Sequence, residues 1–196
     1  MAKNLEIEAK YLLNKEDYTK LVNHFLIKDF FYQTNYYFDT IDFKLINSHC
    51  AMRIRHTNDN QYEATTKVPV GDALMETNVI VPFKTFNSLI NDEIIIIDEI
   101  EKVLNTIGLS QKDIHFFAKL TTKRATINYK IGELFFDEST YFDKTDYEIE
   151  YEVNTSLNEA NQILIDLFKE LNITSYKKGF SKIKRCIDYS KKNKKN

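Results

Sequence analysis

Two short acidic segments, one near each end of the chain, constrain its fold more than any other feature. In each segment charged and apolar residues alternate, over residues 6–10 and again over 148–153. Because successive side chains of a β-strand point to opposite faces, both segments predict strands with one apolar and one charged face. Like charges side by side are destabilising, and clustered carboxylates are oxygen ligands of the kind that Mg²⁺ and Mn²⁺ use. We therefore expect a cation near the charged faces, which carry Glu6, Glu8 and Lys10, and Glu148, Glu150 and Glu152.

The size and composition of the chain predict one compact domain. Its 196 residues are 43% hydrophobic, which suffices for one core, so we place a single domain at residues 1–196 with a polar tail from about residue 191. The formal net charge of −2 argues against a general affinity for polyanions. Cys50 and Cys186 match neither a disulfide framework nor a zinc site, and no membrane-spanning run or signal-peptide pattern is visible. We expect a cytoplasmic protein without a membrane partner.

Hydrophobic periodicity predicts a chain of strands interrupted by helices. Period-two alternation predicts strands over residues 5–13, 33–39, 51–55, 61–68, 75–81, 116–129, 134–138 and 147–153. Helical spacing and capping residues predict helices after Asn14, over 83–90 and 98–104, from Ser156 to about Leu171, and over 179–189, with a helical turn near Phe43. Asn58-Asp59-Asn60 predicts a hairpin turn. These elements describe an α+β fold with about eight mostly antiparallel strands.

The polar rows of these strands leave two architectures open. Arg53 and Arg55 alternate with apolar residues in one strand, and Arg124 does so in another. In an open sheet such a polar face points to water and carries no function. In an eight-stranded antiparallel β-barrel, or tunnel, the acidic and basic rows would line a charged lumen, with helices packed on the apolar outside. The apolar stripes of the predicted helices need a sheet face to cover, which favours the barrel.

The order of the charged motifs resembles that of the CYTH family, also called the triphosphate tunnel metalloenzymes. The family's Glu-x-Glu-x-Lys signature matches Glu6, Glu8 and Lys10, which is a weak match by itself. Further matches follow in the family's order: Arg53 with Arg55, Lys67 in Thr65-Thr66-Lys67, Glu76, Arg124, Asp137, Glu148 with Glu150, and Lys182. The resemblance therefore spans nearly the whole chain.

This resemblance implies a tunnel that binds triphosphate together with Mg²⁺ or Mn²⁺. Family members hydrolyse inorganic triphosphate or thiamine triphosphate, remove RNA 5′ γ-phosphates, or cyclise ATP. It implies substrate binding at Lys10, Arg53, Arg55, Lys67, Arg124 and Lys182. It implies metal binding at Glu6, Glu8, Glu76, Asp137, Glu148, Glu150 and Glu152. It implies direct participation in the reaction for Glu6, Glu8, Lys10, Glu148 and Glu150.

Simpler interpretations of the same residues stand beside these expectations. The glutamates could be solvated strand positions, and Arg53 and Arg55 could form surface ion pairs worth roughly 0–1 kcal/mol each. Lys182 could be one solvated lysine of a lysine-rich helix, and Asp39 is expected to cap a turn. The site could also belong to an adenylate cyclase, a thiamine triphosphatase or a non-catalytic sensor of triphosphates or nucleotides. No RNA-binding signature is visible, so we expect no nucleic-acid partner; the oligomeric state is not predicted.

Overall fold

The structure, a computed structural model, describes residues 2–57 and 59–193. These residues form nine strands: β1 (Ala2–Leu13), β2 (Phe31–Asp39), β3 (Ala51–Thr57), β4 (Tyr62–Val70), β5 (Ala73–Val81), β6 (His115–Tyr129), β7 (Gly132–Tyr141), β8 (Lys144–Val153) and β9 (Lys177–Lys178). They also form six α-helices: α1 (Lys15–His24), α2 (Lys44–Asn47), α3 (Phe83–Ile90), α4 (Asp98–Thr106), α5 (Leu157–Glu170) and α6 (Lys182–Asn193). None of the helices in these ranges is long and apolar enough to cross a membrane.

All nine strands belong to one sheet that closes on itself. The strand order is β5-β4-β3-β2-β6-β7-β8-β1-β9, and β5 also pairs with β1. The eight long strands therefore form a closed antiparallel barrel, and the protein is α+β, as the polar rows and helix stripes predicted. Closure leaves no long strand with an unpaired edge, which removes the edge that an open sheet offers for aggregation.

The chain divides into two compact units, and strands β1, β2 and β6 contribute to both. Unit 1 takes the N-terminal residues as far as Leu5, then Gln33–Leu120, and the C-terminal segment from Ser181. Unit 2 takes Glu6–Tyr32 and Thr121–Phe180. The expectation that residues 1–196 form a single domain stays a prediction.

The apolar face of the sheet in unit 1 is covered by helices α3 and α4. Met52, Ile54 and Ala64 are fully buried on strands β3 and β4. They belong to one core with Phe86 of α3 and Leu104 of α4. Fully burying an aliphatic or aromatic side chain stabilises a fold by roughly 1.5–3 kcal/mol, so this core fixes which face of the sheet the helices occupy.

In unit 2, helices α1 and α5 cover the corresponding face. Ile149 and Tyr151 of β8 are fully buried in one core with Leu164 of α5. Both helices begin where the sequence predicts: Asn14 Oδ1 accepts from the Asp17 backbone N–H, and Ser156 Oγ accepts from that of Glu159. These caps satisfy backbone N–H groups that have no partner within the helix.

The charged rows lie on the opposite face from the helices in both units. In β8, Glu148 and Glu150 alternate with the core residues Ile149 and Tyr151. In β3 and β4, Arg53 and Thr65 alternate in the same way with core residues. Because the helices cover the outer face of a closed sheet, these rows lie on its inner face. The predicted polar lumen is therefore the face that carries them.

The C-terminal elements differ from the sequence-based expectation. Helix α6 begins at Lys182 instead of Gly179, because the preceding residues first form the two-residue strand β9 and an irregular link. The helix continues to Asn193, so the first three residues of the predicted polar tail are helical. Residues 194–196 of that tail, and Asn58 of the predicted hairpin turn, lie outside the described residues.

Candidate functional site

A cluster of three buried carboxylates lies on the polar face of unit 2. Asp137 of β7 is directly opposite Glu148 of β8, and Glu150 follows on the same face of β8. Asp137 and Glu148 are fully buried, and Glu150 nearly so. Each can offer one oxygen such that these atoms all lie within 4.8 Å of one another. Carboxylate oxygens at this spacing repel each other and form a donor set that fits a hard divalent cation.

Arg124 of β6 holds two of these carboxylates. Its Nε donates to Asp137 Oδ1 at 2.6 Å, and its Nη2 donates to Asp137 Oδ2 and to Glu150 Oε2, each at 2.5 Å. The guanidinium also lies 4.6 Å from the ring centroid of Phe135. Burial alone would lower the pKa of Arg124, but Asp137 and Glu150 outweigh it, so the pKa is raised. Arg124 therefore stays charged and holds both carboxylates through these hydrogen bonds.

Lys10 of β1 extends this charged group. It lies directly opposite Glu150 across the β1–β8 pair, and its Nζ forms an ion pair with Glu8. Burial would lower the pKa of Lys10, yet the charges of Glu8, Glu150 and Glu148 outweigh it and raise the pKa. Lys10 is therefore a charged donor among three carboxylates.

The segment that follows strand β9 approaches the same cluster. Strand β9 pairs with β1, with Lys177 opposite Leu12. A Cβ atom added at Gly179 would lie 3.0 Å from Leu12 Cγ and 3.4 Å from Glu148 Oε1. The distance to Leu12 is tight, whereas the distance to Glu148 is an ordinary contact, so glycine at this position leaves room for Leu12, which lies opposite Glu148 across the β1–β8 pair. This role is not visible in the sequence, since a single glycine before a helix indicates only a break in structure.

The basic residues of unit 1 include one half-buried ion pair. Lys67 Nζ of β4 lies 2.6 Å from Glu76 Oε1 of β5, and Arg53 Nη2 lies 3.9 Å from the same oxygen. Burial would raise the pKa of Glu76, but Lys67 and Arg53 outweigh it, so the pKa is lowered. Glu76 is therefore an ionised partner of these cations.

Arg53 and two further predicted cations of unit 1 act on one buried tyrosine. Burial raises the pKa of Tyr37, and the charges of Arg53, Lys182 and Arg55 oppose that rise. Arg55 Nε also donates to Asn35 Oδ1 at 3.2 Å. Lys182, at the start of α6, therefore acts electrostatically on the same side chain as the strand arginines.

Three of the seven predicted metal ligands lie together in the carboxylate cluster, and the other four lie outside it. Within the described ranges, the three-carboxylate cluster does not include Glu8 or Glu76, which pair with lysines, nor Glu6 or Glu152. In register, Glu152 lies opposite Glu8 on β1 and opposite Glu133 on β7. Arg124, expected on phosphate, donates to carboxylates through Nε and Nη2.

The residues that were expected to be structural behave accordingly. Asp39 accepts hydrogen bonds from the backbone N–H groups of Thr40, Leu45 and Ile46, so it caps the turn and helix α2. Cys50 and Cys186 are buried and not disulfide-bonded.

Fold and site together define a closed antiparallel barrel whose inner face carries buried carboxylates and half-buried cations. The chain belongs to the CYTH domain family, whose model matches residues 4–187. The resemblance drawn from the charged motifs is thereby confirmed.

Individual relatives agree with this assignment. A Bacillus subtilis (strain 168) protein, YjbK, named as a candidate triphosphatase, is 30% identical over 182 residues, covering 88% of this chain and 90% of its own length. A crystal structure of a candidate adenylate cyclase from Bacillus halodurans is 31% identical, with a TM-score of 0.85 over 94% of this chain and 98% of its own. HpAC1 from Hippeastrum, a candidate adenylyl cyclase described as having a dominant triphosphatase activity, is 20% identical, with a TM-score of 0.71 over 93% and 95% of the two chains. At that identity it is similar in fold alone.

Proposed function

We propose that this protein is a metal-dependent hydrolase of triphosphate compounds and that inorganic triphosphate is its preferred substrate. The observation that carries the proposal is the buried cluster of Asp137, Glu148 and Glu150. Three carboxylates held this close on the inner face of a barrel are unfavourable for stability alone. A bound divalent cation would offset the repulsion between the carboxylates and attract an anionic substrate. The name of the Bacillus subtilis relative supports hydrolysis.

Within this proposal, Asp137, Glu148 and Glu150 would hold Mg²⁺ or Mn²⁺. Such an ion neutralises phosphate charge and lowers the pKa of a bound water. Arg124 fixes the orientation of Asp137 and Glu150 through the hydrogen bonds described above. Glu6, Glu8, Glu76 and Glu152, expected as further ligands, stay predictions. A glutamate of the group accepts the proton of the attacking water.

The cations supply the substrate's binding sites. Phosphoryl transfer depends mainly on positioning and charge neutralisation, so each oxygen of the substrate needs a donor. We assign this role to the predicted set of Lys10, Arg53, Arg55, Lys67, Arg124 and Lys182. For Arg124 the two hydrogens on Nη1 are the available donors, because Nε and Nη2 already donate to carboxylates.

Adenylate cyclisation is the second candidate, and the name of the Bacillus halodurans relative favours it. In that reaction the ribose 3′-hydroxyl of ATP attacks and pyrophosphate leaves, while the phosphate and metal contacts stay the same. Thiamine triphosphate is the alternative substrate for hydrolysis. Both alternatives differ from the first proposal in the organic group, which the charged residues do not contact.

The first experiment compares inorganic triphosphate, thiamine triphosphate and ATP as substrates, each with Mg²⁺, Mn²⁺ or EDTA. We expect metal-dependent phosphate release, fastest from inorganic triphosphate. Cyclic AMP from ATP without phosphate release would favour the cyclase. Binding of triphosphate without any turnover would contradict an enzyme and favour the sensor. A cytoplasmic location and the absence of nucleic-acid and membrane partners stay predictions.

A double variant and a matched control variant test the role of the carboxylates directly. E148Q/E150Q keeps the side-chain shape and removes two charges, so turnover should fall by at least about 10²-fold. E138Q is the matched control: Glu138 is next to Asp137 in β7 but points to the opposite face. It should turn over like the wild type. Wild-type turnover in E148Q/E150Q would refute the assignment.

A further inference from the structure

Thr65 lies at the centre of a polar row that crosses three strands of unit 1. Arg53 of β3 is directly opposite Thr65 of β4, and Thr65 is directly opposite Asn78 of β5. Side chains paired in this way have Cβ atoms about 4.5–5.5 Å apart. Lys67 lies two residues further along β4, so it shares the face of Thr65. A neutral hydroxyl is therefore flanked by the cations assigned to phosphate.

Two hydrogen-bond donors in this row have no acceptor. Arg53 Nε and Thr65 Oγ1 are buried, and no group in the described part of the chain hydrogen-bonds with either atom. Thr65 is only 1% exposed. Burying a hydroxyl or an N–H group without a partner costs roughly 1–3 kcal/mol, so most such atoms in folded proteins are paired. The neighbouring Lys67 and Glu76, by contrast, form an ion pair.

We propose that Arg53 Nε and Thr65 Oγ1 together bind one phosphoryl group of the substrate, which makes Thr65 a substrate-binding residue. Two adjacent donors facing the same way match two oxygens of one phosphoryl group, and neither donor is engaged by a carboxylate. A threonine hydroxyl adds a hydrogen bond without adding charge. This inference rests on the proposed function, because it takes a triphosphate as the ligand.

Asn78 marks the limit of this subsite. Its Nδ2 donates to Glu76 Oε2 at 3.5 Å, and its Oδ1 is buried with no hydrogen-bond partner among the described residues. Oδ1 is an acceptor and cannot bind an ionised phosphoryl oxygen. The subsite therefore consists of the two donors and ends at β5.

The test is the affinity for inorganic triphosphate, measured by calorimetry in Mg²⁺ and in EDTA. T65V replaces the hydroxyl by a methyl group of the same shape, and the dissociation constant should rise about tenfold or more. T65S keeps the hydroxyl and should bind within about threefold of the wild type. Because the lost hydroxyl has no partner in the free protein, T65V should not lower the melting temperature.

Thr66 provides a matched control one residue away. It is as buried as Thr65, and its Oγ1 also lacks a partner, but it faces the helix-covered side of the sheet. T66V should therefore leave the affinity unchanged. If T65V binds triphosphate as well as T66V does, the inference is wrong and the proposed function stands. If the wild type binds triphosphate in neither buffer, both are wrong.

Discussion

Gly179 shows at the scale of one residue how the acidic cluster is positioned from outside its own strands. The residue follows β9 and lies against Leu12 and Glu148. Its backbone conformation does not require glycine, so the constraint is space alone. The contact of 3.0 Å with Leu12 is tighter than ordinary packing allows, so a methyl group there must displace Leu12, which lies opposite Glu148 on β8. Gly179 is thus a positioning residue for a carboxylate assigned to the metal.

We predict that G179A lowers kcat for inorganic triphosphate roughly tenfold and weakens the affinity for the metal. The added methyl group displaces Leu12, which we expect to shift the adjacent Glu148 by a fraction of an ångström, and metal sites tolerate little displacement. The free energy of unfolding should change by less than about 1 kcal/mol, since Gly→Ala also stabilises through the unfolded chain. The measurement is a metal titration of kcat alongside denaturant unfolding.

Lys178 offers the control for this prediction. It is exposed and adjacent to Gly179, so K178A alters the same segment without pressing on Glu148. K178A should keep the metal dependence of the wild type. Equal metal titrations for G179A and the wild type would show that the Glu148 carboxylate has more freedom than the packing indicates.

The sequence predicts the face of the sheet on which each residue lies, but not the groups with which its side chain forms hydrogen bonds. Alternation alone assigned Arg124 and Glu150 to the polar face, and the structure agrees. It could not tell that Arg124 donates to Asp137, because strand periodicity reports a face and carries no information on register. The unpaired hydroxyl of Thr65 was likewise invisible, since a partner can be missing only once the neighbours are known.

At the scale of elements, the β4–β5 hairpin connects stability to the site. Its strands pair from Tyr62 opposite Val81 to Val70 opposite Ala73, and Gly71 supplies the positive φ of 62° at the turn. Lys67 lies opposite Glu76 within this register. The ion pair therefore spans the hairpin itself and couples it to Arg53 on the next strand.

We predict that this ion pair makes the hairpin's contribution to stability depend on pH. The pKa of Glu76 is lowered from its ordinary value of 4.5 in the folded state. Ionised Glu76 thus stabilises the fold above about pH 4.5, and the contribution is lost as pH falls through the lower folded pKa. A double-mutant cycle of K67M and E76Q, measured by denaturant unfolding between pH 3 and 7, reports the coupling free energy.

The coupling should be favourable at neutral pH and decline in the acid range. A coupling that is constant across this range would contradict an ionised Glu76. The cycle also separates the pair from the rest of the site, since each single variant removes only one of the two charges.

Elements with strong periodicity or caps were predictable, and those set by tertiary contacts were not. Asn14 and Ser156 indicated the starts of α1 and α5, because capping is a local interaction. Strand β9 has two lysines and no alternation, so only its pairing with β1 defines it. Helix α6 begins at Lys182 instead of the predicted Gly179, because the residues before it belong to β9 and to the link that follows it.

For the whole molecule, we predict that a divalent metal stabilises the fold through the carboxylate cluster. A ligand at a hundredfold excess over its Kd adds about 2.7 kcal/mol to the free energy of unfolding. For a chain of this size that raises Tm by roughly 5 °C or more. Thermal unfolding with Mn²⁺ should show this shift in the wild type and lose it in E148Q/E150Q.

Sodium chloride at matched ionic strength controls for screening. It should leave the difference between wild type and variant unchanged, because screening acts on exposed charges more than on buried ones. An equal shift in both proteins on adding Mn²⁺ would place the metal elsewhere. This readout is independent of turnover, so it tests the site even if the substrate proves to be different.

The architecture of the whole chain was predictable because its polar rows are many and ordered. The closing contact was not, since alternation does not indicate which strand a given strand joins. Strand β1 pairs with both β8 and β5, and neither partner is adjacent to it in sequence.

The pairing of β1 also has a consequence for how the protein is made. Ile7 pairs with Val153, so β1 leaves the ribosome long before β8, its partner on this side, has been synthesised. Until then its apolar face and its backbone edge are exposed, and contacts between distant residues form slowly. The charges of Glu6, Glu8 and Lys10 keep one face of β1 polar and disfavour its pairing with other nascent chains. We therefore expect the charges of this strand also to reduce aggregation of the chain during its synthesis.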